Sequence, residues 1–247
     1  MYLLREIHYT YSMDIIPPTH PPLLLRFQEN SDIYEIGIDE AGRGPLFGRL
    51  YVAAVILPKV GEFYHKDIKD SKKIKSKKKM SAVSEYIKAN SLAYSVQFIE
   101  HSEIDEINIR QAVFRAAHRC IKELYEKVMS LDNQAKFHIV MDGNDFIPYT
   151  DFDKETDRII SIPYNTIEGG DNKMMAIAAA SILAKDSRDK YIEELCANYP
   201  ALVERYSLNK NMGYGTKLHL QGIEEYGICQ WHRRTYGRCK EAKYSQI

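Results

Sequence analysis

Two apolar segments joined by a glycine-rich turn constrain this chain more than any other feature. Ile33–Asp39 (IYEIGID) and Arg49–Leu57 (RLYVAAVIL) are short, bounded and rich in β-branched residues, as buried strands are. The turn Ala41–Gly44 between them predicts an antiparallel hairpin, and so apolar a hairpin needs cover on its faces. The rest of the chain supplies it. Ser76–Ala89 has helical character, Ala93–Glu100 reads as a strand, and Ile104–Met129 carries apolar residues at the spacing of one or two helices. Phe137–Met141 is a short buried strand and Ile159–Tyr164 another. Met174–Tyr199 is the longest helical stretch, with a small-residue run (Ala176–Ser181) suited to close packing and a stop near Pro200. Leu218–Tyr226 is a shorter helix ended at Gly227. This order predicts an α/β fold, a mixed sheet flanked by helices with a helical C-terminal segment.

The 247 residues suffice for one sizeable core with an appendage. Residues 1–31 read as a weakly structured extension, since Pro17-Pro18 and Pro21-Pro22 interrupt any helix, although Leu23–Leu25 can lie on the main body. Residues 32–200 form that body and 201–247 the C-terminal segment. No apolar run reaches membrane-spanning length, and the N-terminus lacks the features of an export signal. Cys120, Cys196, Cys229 and Cys239 are scattered, which argues against a structural zinc or a disulfide framework. A reducing, cytoplasmic setting is therefore expected. Lys+Arg and Asp+Glu number 34 each, so net charge is silent about partners. Local charge is more telling: Lys66–Lys79 is lysine-rich, and His232-Arg233-Arg234 with Arg238 and Lys240 forms a second basic stretch. Such runs are usually solvated faces; beside an acidic pocket they would also form an electropositive track.

Asp39 and Glu40 end an apolar strand just before the glycine turn. Side chains alternate across a strand, so the pair either opens a polar loop or serves as ligands, because a buried carboxylate costs several kcal/mol unless paired or metal-bound. Asp142-Gly143 repeats the pattern after FHIVM, where an ordinary Asp-Gly turn is the plain alternative. Asp171 precedes the Ala-rich helix, where helix capping is the commoner role. If these carboxylates converge, a divalent cation relieves their repulsion, and an all-oxygen set favours Mg2+ or Mn2+ over zinc. Two such ions about 4 Å apart can activate water and stabilise a leaving oxygen in phosphodiester hydrolysis. The Gly42-Arg43-Gly44 loop brings backbone N–H groups and a cation close to any oxygen-rich partner.

In order along the chain, Gly37–Gly48 (GIDEAGRGPLFG), Lys69–Ile74 (KDSKKI), Val140–Gly143 (VMDG), Gly170–Lys185 (GDNKMMAIAAASILAK), Arg188-Asp189, Gly213–His219 (GYGTKLH) and His232–Tyr236 (HRRTY) resemble the type 2 ribonucleases H, the ribonuclease HII family. The resemblance spans roughly residues 33–236 and implies a ribonuclease H-like fold, with 32–200 catalytic and 201–247 contacting substrate. It places the family's catalytic, metal-holding acids on Asp39, Glu40, Asp142 and Asp171. Asp171 is preferred to Asp186 and Asp189 because it occupies the acid position in the glycine turn before the helix. It assigns Gly42, Arg43 and Gly44 to the ribose 2′-hydroxyl, which distinguishes RNA from DNA. Tyr214 would pack on the following sugar, and Ser71, Lys72, Lys73 and Arg233 would contact phosphates. Two family lysines are absent, replaced by Gly169 and Met212; Lys173 and Lys210 are the nearest substitutes. The type 3 enzymes carry a different loop after the acidic pair and a large N-terminal domain, unlike GRGPLFG and the short N-terminus here.

The resemblance thus implies an endoribonuclease with two divalent ions (Mg2+ or Mn2+) that acts on RNA–DNA hybrids and on duplex DNA containing single ribonucleotides. It would cut on the 5′ side of the ribonucleotide to leave a 3′-hydroxyl and a 5′-phosphate. A monomer without membrane association is expected. The rival reading is a non-catalytic hybrid-binding protein of the same fold, against which the four acids argue. A more remote one is an exonuclease built on the same acids.

Overall fold

The computed structural model describes residues 23–28, 32–59, 63, 68, 71, 74, 76–153 and 157–247. In chain order the elements are β1 (Ile33–Ala41), β2 (Leu50–Ile56), α1 (Lys77–Asn90), β3 (Ala93–Ile99), α2 (His101–Ile107), α3 (Ile109–Met129), β4 (Lys136–Asp142), β5 (Thr150–Asp153), β6 (Arg158–Ser161), β7 (Tyr164–Ile167), α4 (Met175–Asn198), α5 (Ala201–Tyr206), α6 (Leu208–Asn211) and α7 (Lys217–Tyr226). Five strands form one sheet in the order β3-β2-β1-β4-β7, and β5 with β6 makes a separate hairpin. The β1–β2 hairpin is antiparallel as expected, β3 adds antiparallel to β2, and β4 and β7 extend the sheet in parallel.

Both faces of the sheet are covered, which is why β2 reads as an unbroken apolar run: all of its residues are buried. Val52, Ala54 and Ile56 meet α3 on one side together with Ile36, Ile38, Ile139 and Met141. Tyr51, Ala53 and Val55 meet α1 and α4 on the other, in a core that continues into the C-terminal segment through Leu202, Tyr206, Ile223 and Cys229. The small-residue run of α4 lets this helix lie directly on β1. A Cβ on Gly37 would sit 2.5 Å from the Ala176 backbone carbon, so Gly37→Ala should push the helix off the strand. We expect a loss of about 1–3 kcal/mol, seen as a lower Tm in thermal denaturation followed by circular dichroism.

Three details of the elements have local causes. The Ile104–Met129 stretch is two helices because Asn108 takes φ +67° and its side chain accepts the Gln111 N–H, starting α3 afresh. Strand Ile159–Tyr164 splits at Ile162-Pro163, since proline has no N–H for a ladder; the Pro163 carbonyl instead accepts from Ile139 N at 2.9 Å. β5 (TDFD) is polar and carries no strand signal. Of the N-terminal extension, residues 1–22 and 29–31 lie outside the described residues. Leu23 does lie on the body, packed against the α4-side core, while Leu24 and Leu25 keep exposed side chains. Among the described residues no helix is long and apolar enough to cross a membrane.

Candidate active site

Strand register brings the first acids together. In the parallel β1–β4 pair, Ile38 stands opposite Met141, so Asp39 and Asp142 follow side by side at adjoining strand ends. Val140 faces α4 in a small cluster with Met174 and Ile177, and Asp142, two residues on, shares that face. Asp39 is only 5 % exposed. Its Oδ1 accepts the Glu40 N–H at 2.7 Å, and Ser181, the lone polar side chain in the apolar run of α4, lies close enough to pull the same carboxyl's pKa down. Burial, then the charges of Glu40 and Asp142, hold the Asp39 carboxyl well above the usual carboxylate range. Burial also raises Glu40, against the opposing pull of Arg43, whose Nη1 lies 3.3 Å from Glu40 Oε1.

The fourth acid arrives through a turn. Gly170–Asn172 is a 3-10 turn ahead of α4, and the Gly170 N–H donates to Asp142 Oδ1 at 2.7 Å. A Cβ at Gly170 would come within 2.6 Å of Ile177 Cδ1 and 3.3 Å of Asp142 Oδ1, so glycine lets the turn approach closely. Asp171 is buried, and its Oδ1 accepts from Asn172 Nδ2 at 2.9 Å. It is not the helix cap: the N-cap of α4 is Met174, which makes no side-chain cap bond. The alternatives are committed elsewhere. Asp186 accepts from Ser81 and Lys190, and Asp189 is paired with Lys185.

The donors suit a hard cation, being all oxygen and including a buried carboxylate crowded by like charge. As they stand the acids are not gathered around one point: among the described residues no group of three or more His, Cys, Asp or Glu side chains forms a metal cage. Arg43 holds Glu40 and Asn172 holds Asp171.

Beside the acids lies the glycine loop, and its support comes from an unexpected quarter. Arg233, fully buried, donates from Nε to Gly48 O (3.0 Å), from Nη1 to Arg43 O (3.1 Å) and from Nη2 to Gly42 O (2.7 Å). The phosphate contact expected of Arg233 is therefore not open to it in this structure; it props the loop from below. Ser71 is likewise buried, with its hydroxyl 3.0 Å from that of Ser181, and so it stands behind Asp39 rather than facing a phosphate. Lys72 and Lys73 lie outside the described residues. Arg43 is exposed beyond its tie to Glu40.

Arg188, also buried, joins this loop to Tyr214. A Cβ on Gly42, which has φ +99°, would fall 2.5 Å from Arg188 Nε. Arg188 Nη2 donates to Met212 O at 2.8 Å, and its guanidinium lies 5.7 Å from the Tyr214 ring centre. Tyr214 is 46 % exposed, and its ring edge would be 3.8 Å from a Cβ on Gly44. The Tyr214 carbonyl is held from the other side by a buried histidine pair. Cys229 N–H donates to His232 Nδ1 (3.0 Å), leaving the His232 proton on Nε2 for His219 Nε2 (3.1 Å), so His219 Nδ1–H donates to Tyr214 O (3.0 Å). Burial first keeps both rings neutral, with His232 pushed down to about 3. At the positions of the missing family lysines, Gly169 and Met212 take left-handed backbone (φ +62° and +50°), and Lys173 Nζ donates to Glu168 O at 2.7 Å.

Ser181 and Arg188 are the residues that sequence reasoning passed over. Ser181 had a signal, as the one hydroxyl amid Ala176–Ala184; Arg188 had only its place in the R-D pair.

A sheet of this order, with helices on both faces and acids at adjoining strand ends, defines a ribonuclease H-type nuclease fold. Solved structures bear this out: ribonuclease H2 from Pyrococcus horikoshii OT3 aligns with a TM-score of 0.56 at 23% identity, covering 85% of this chain and 96% of that one. Bst-RNase HIII aligns with a TM-score of 0.54 at 15% identity, covering 85% of this chain and 69% of that one. The family model for Ribonuclease HII matches residues 36–239. Ribonuclease HII of Parabacteroides distasonis is 41% identical over 214 residues (87% of this chain, 94% of that protein). That of Bacteroides thetaiotaomicron is 42% identical over 207 residues (84% and 91%). The chain belongs to the ribonuclease HII family and is an endoribonuclease of RNA–DNA hybrids.

Proposed function

We propose that this enzyme also incises duplex DNA on the 5′ side of a single embedded ribonucleotide, leaving a 3′-hydroxyl and a 5′-phosphate. The observation that carries this reading is the juxtaposition of Tyr214 with Gly44: a half-exposed aromatic ring stands directly against the glycine loop, next to the acidic strand ends. In this reading the backbone of Gly42–Gly44 takes the ribose 2′-hydroxyl, and Tyr214 packs on the next sugar and favours a deoxyribose there. Arg43, freed from Glu40, serves a phosphate, as do Lys72 and Lys73; Ser71 acts through Ser181 instead. Residues 201–247, which carry Tyr214, form the substrate-contacting segment on the catalytic part, 32–200.

Asp39, Glu40, Asp142 and Asp171 would hold two divalent ions, Mg2+ or Mn2+; a structural neighbour, Bst-RNase HIII, is known in complex with Mn2+. When bound, such ions supply a water activated at neutral pH and charge stabilisation for the leaving oxygen. The chain's own part is to aim and shield the carboxylates. Ser181 orients Asp39, the Gly170 N–H orients Asp142, and Asn172 orients Asp171.

The test uses end-labelled duplex DNA with one ribonucleotide, and a long RNA–DNA hybrid, each with Mg2+ and with Mn2+. A single product cut 5′ to the ribonucleotide supports the proposal. In Tyr214→Ala we expect junction cleavage to fall about tenfold, within the ~1–3 kcal/mol that an aromatic platform contributes per stacked base, with hybrid cleavage changed less. If Tyr214→Ala slows both substrates equally, the sugar-reading role is wrong.

A further inference from the structure

The described residues ahead of β1 lie before the start of the family match at residue 36, and the reading above gives them no task. Their contacts are nonetheless specific. Glu35, 6 % exposed on β1, turns its carboxylate to the backbone of this segment, accepting from Phe27 N (3.0 and 2.9 Å) and Gln28 N (2.7 Å). Phe27 stacks on His138 of β4 with ring centres 5.5 Å apart, and Gln28 Nε2 meets His138 Nδ1 at 3.0 Å. His138 Nε2 in turn reaches Asn165 Oδ1 on β7 at 2.9 Å. Arg26 Nη2 donates to Lys59 O at 2.9 Å. One end of the segment is thus bolted across β1, β4 and β7.

The other end lands on the turn that carries Asp171. Leu24 pairs with Met174 in a parallel bridge: Leu24 N donates to Lys173 O at 2.8 Å and Met175 N donates to Leu24 O at 2.9 Å. The side chain of Leu24 is 60 % exposed, so burial does not hold it there; the two backbone bonds do. They answer a need. The first N–H groups of a helix have no partner within it, and Met174 at the N-cap of α4 brings no side-chain acceptor. The Leu24 carbonyl supplies one. The bond to Lys173 O closes the segment on a turn whose own bonds, Lys173 N and Met174 N to Gly170 O, are short-range.

We infer that Leu23–Gln28 is a strap that caps α4 from outside and fixes the Gly170–Asn172 turn, so that Leu24 is a positioning residue for the ion held by Asp171. The inference rests on the assignment of Asp171 to metal binding. By analogy with outer partners of metal ligands elsewhere, loosening the strap costs about tenfold in ion affinity.

Leu24→Pro removes the donor to Lys173 O and keeps the acceptor for Met175 N; Glu35→Gln weakens the other anchor. Calorimetric Mn2+ titration of the full chain, with Asp171→Asn as reference, is the test, together with amide hydrogen exchange of Lys173–Met175 without metal. The strap predicts weaker Mn2+ binding by about tenfold in Leu24→Pro, a smaller loss in Glu35→Gln, and faster exchange at the turn in both. Unchanged Mn2+ binding in Leu24→Pro, with Asp171→Asn impaired, overturns the strap and leaves the acid's role standing. Unchanged binding in Asp171→Asn overturns the assignment of that acid and the inference with it. If Leu24→Pro does not fold, Glu35→Gln decides alone: unaltered exchange and binding there overturn the strap.

Discussion

Asp39→Asn is expected to abolish cleavage while making the folded chain more stable. With Asp39 as a proposed ion ligand, loss of its charge should cost ~4 kcal/mol of barrier or more, about a thousandfold in rate. The stability gain follows from the position of the carboxyl. Burial and two neighbouring acids raise its folded-state pKa well above the unfolded value. A carboxyl raised in this way binds its proton more tightly in the folded state than in the unfolded chain. Its contribution is therefore favourable at low pH and is lost as pH climbs from the ordinary carboxylate range through the raised folded pKa. At neutral pH and without metal, the Asp39 carboxyl therefore opposes folding. Asparagine keeps the shape and removes the charge, so Tm measured in chelator should rise by ~2–4 °C, corresponding to about 1 kcal/mol. The difference should vanish towards acid pH, where the wild-type carboxyl is already neutral. Retained activity would remove Asp39 from the site, and an unchanged Tm in chelator would show that its carboxylate is relieved in another way.

The second large effect is expected at Arg233. Its guanidinium lies fully buried and gives three donors to the carbonyls of Gly42, Arg43 and Gly48. Among the described residues it has no carboxylate within ion-pair distance, and burial lowers its pKa only to about 10, so it remains a cation at neutral pH. Arg233→Gln keeps at most part of one donor pair and leaves buried carbonyls unmet. Charge-assisted hydrogen bonds contribute about 1.5–3 kcal/mol each and are only partly additive. A loss of ~3 kcal/mol overall, or 6–12 °C in Tm, is therefore expected. Activity should collapse on every substrate, since the loop is then unsupported. Had Arg233 served a phosphate directly, the variant would keep its Tm and lose affinity in a salt-dependent way. Thermal denaturation beside a salt series of substrate binding separates the two.

That contrast marks what sequence reading can reach. The hairpin, the buried strands and the acids at their ends were legible because each is a local pattern: alternation, a glycine after a carboxylate, an apolar run too short for a helix. The doubly covered sheet was legible too, in the unbroken apolarity of β2. The jobs of Arg233 and Ser71 were not, since a basic stretch and a D-S-K block look the same whether they face solvent or core. Only partners distant in sequence decide it: Gly42 lies 191 residues from Arg233, and Ser71 meets Ser181 across 110. The turn before α4 shows both sides. Its glycine and acid could be read in advance, whereas its backing by Leu24 depends on backbone atoms that leave no mark in side-chain identity.

Helix α4 gives these pieces a common measure. Ser181 touches the acid end of the site, and Arg188 lies under the loop and Tyr214 that are assigned to the sugars. Seven residues separate them, about 10 Å along a helix axis. A largely buried helix therefore stands between the place proposed for bond breaking and the place proposed for reading the ribose. Loops can drift by a nucleotide; a helical pitch cannot. On this view the offset between the ribonucleotide and the cut is a length written into α4, the same for every substrate the enzyme accepts.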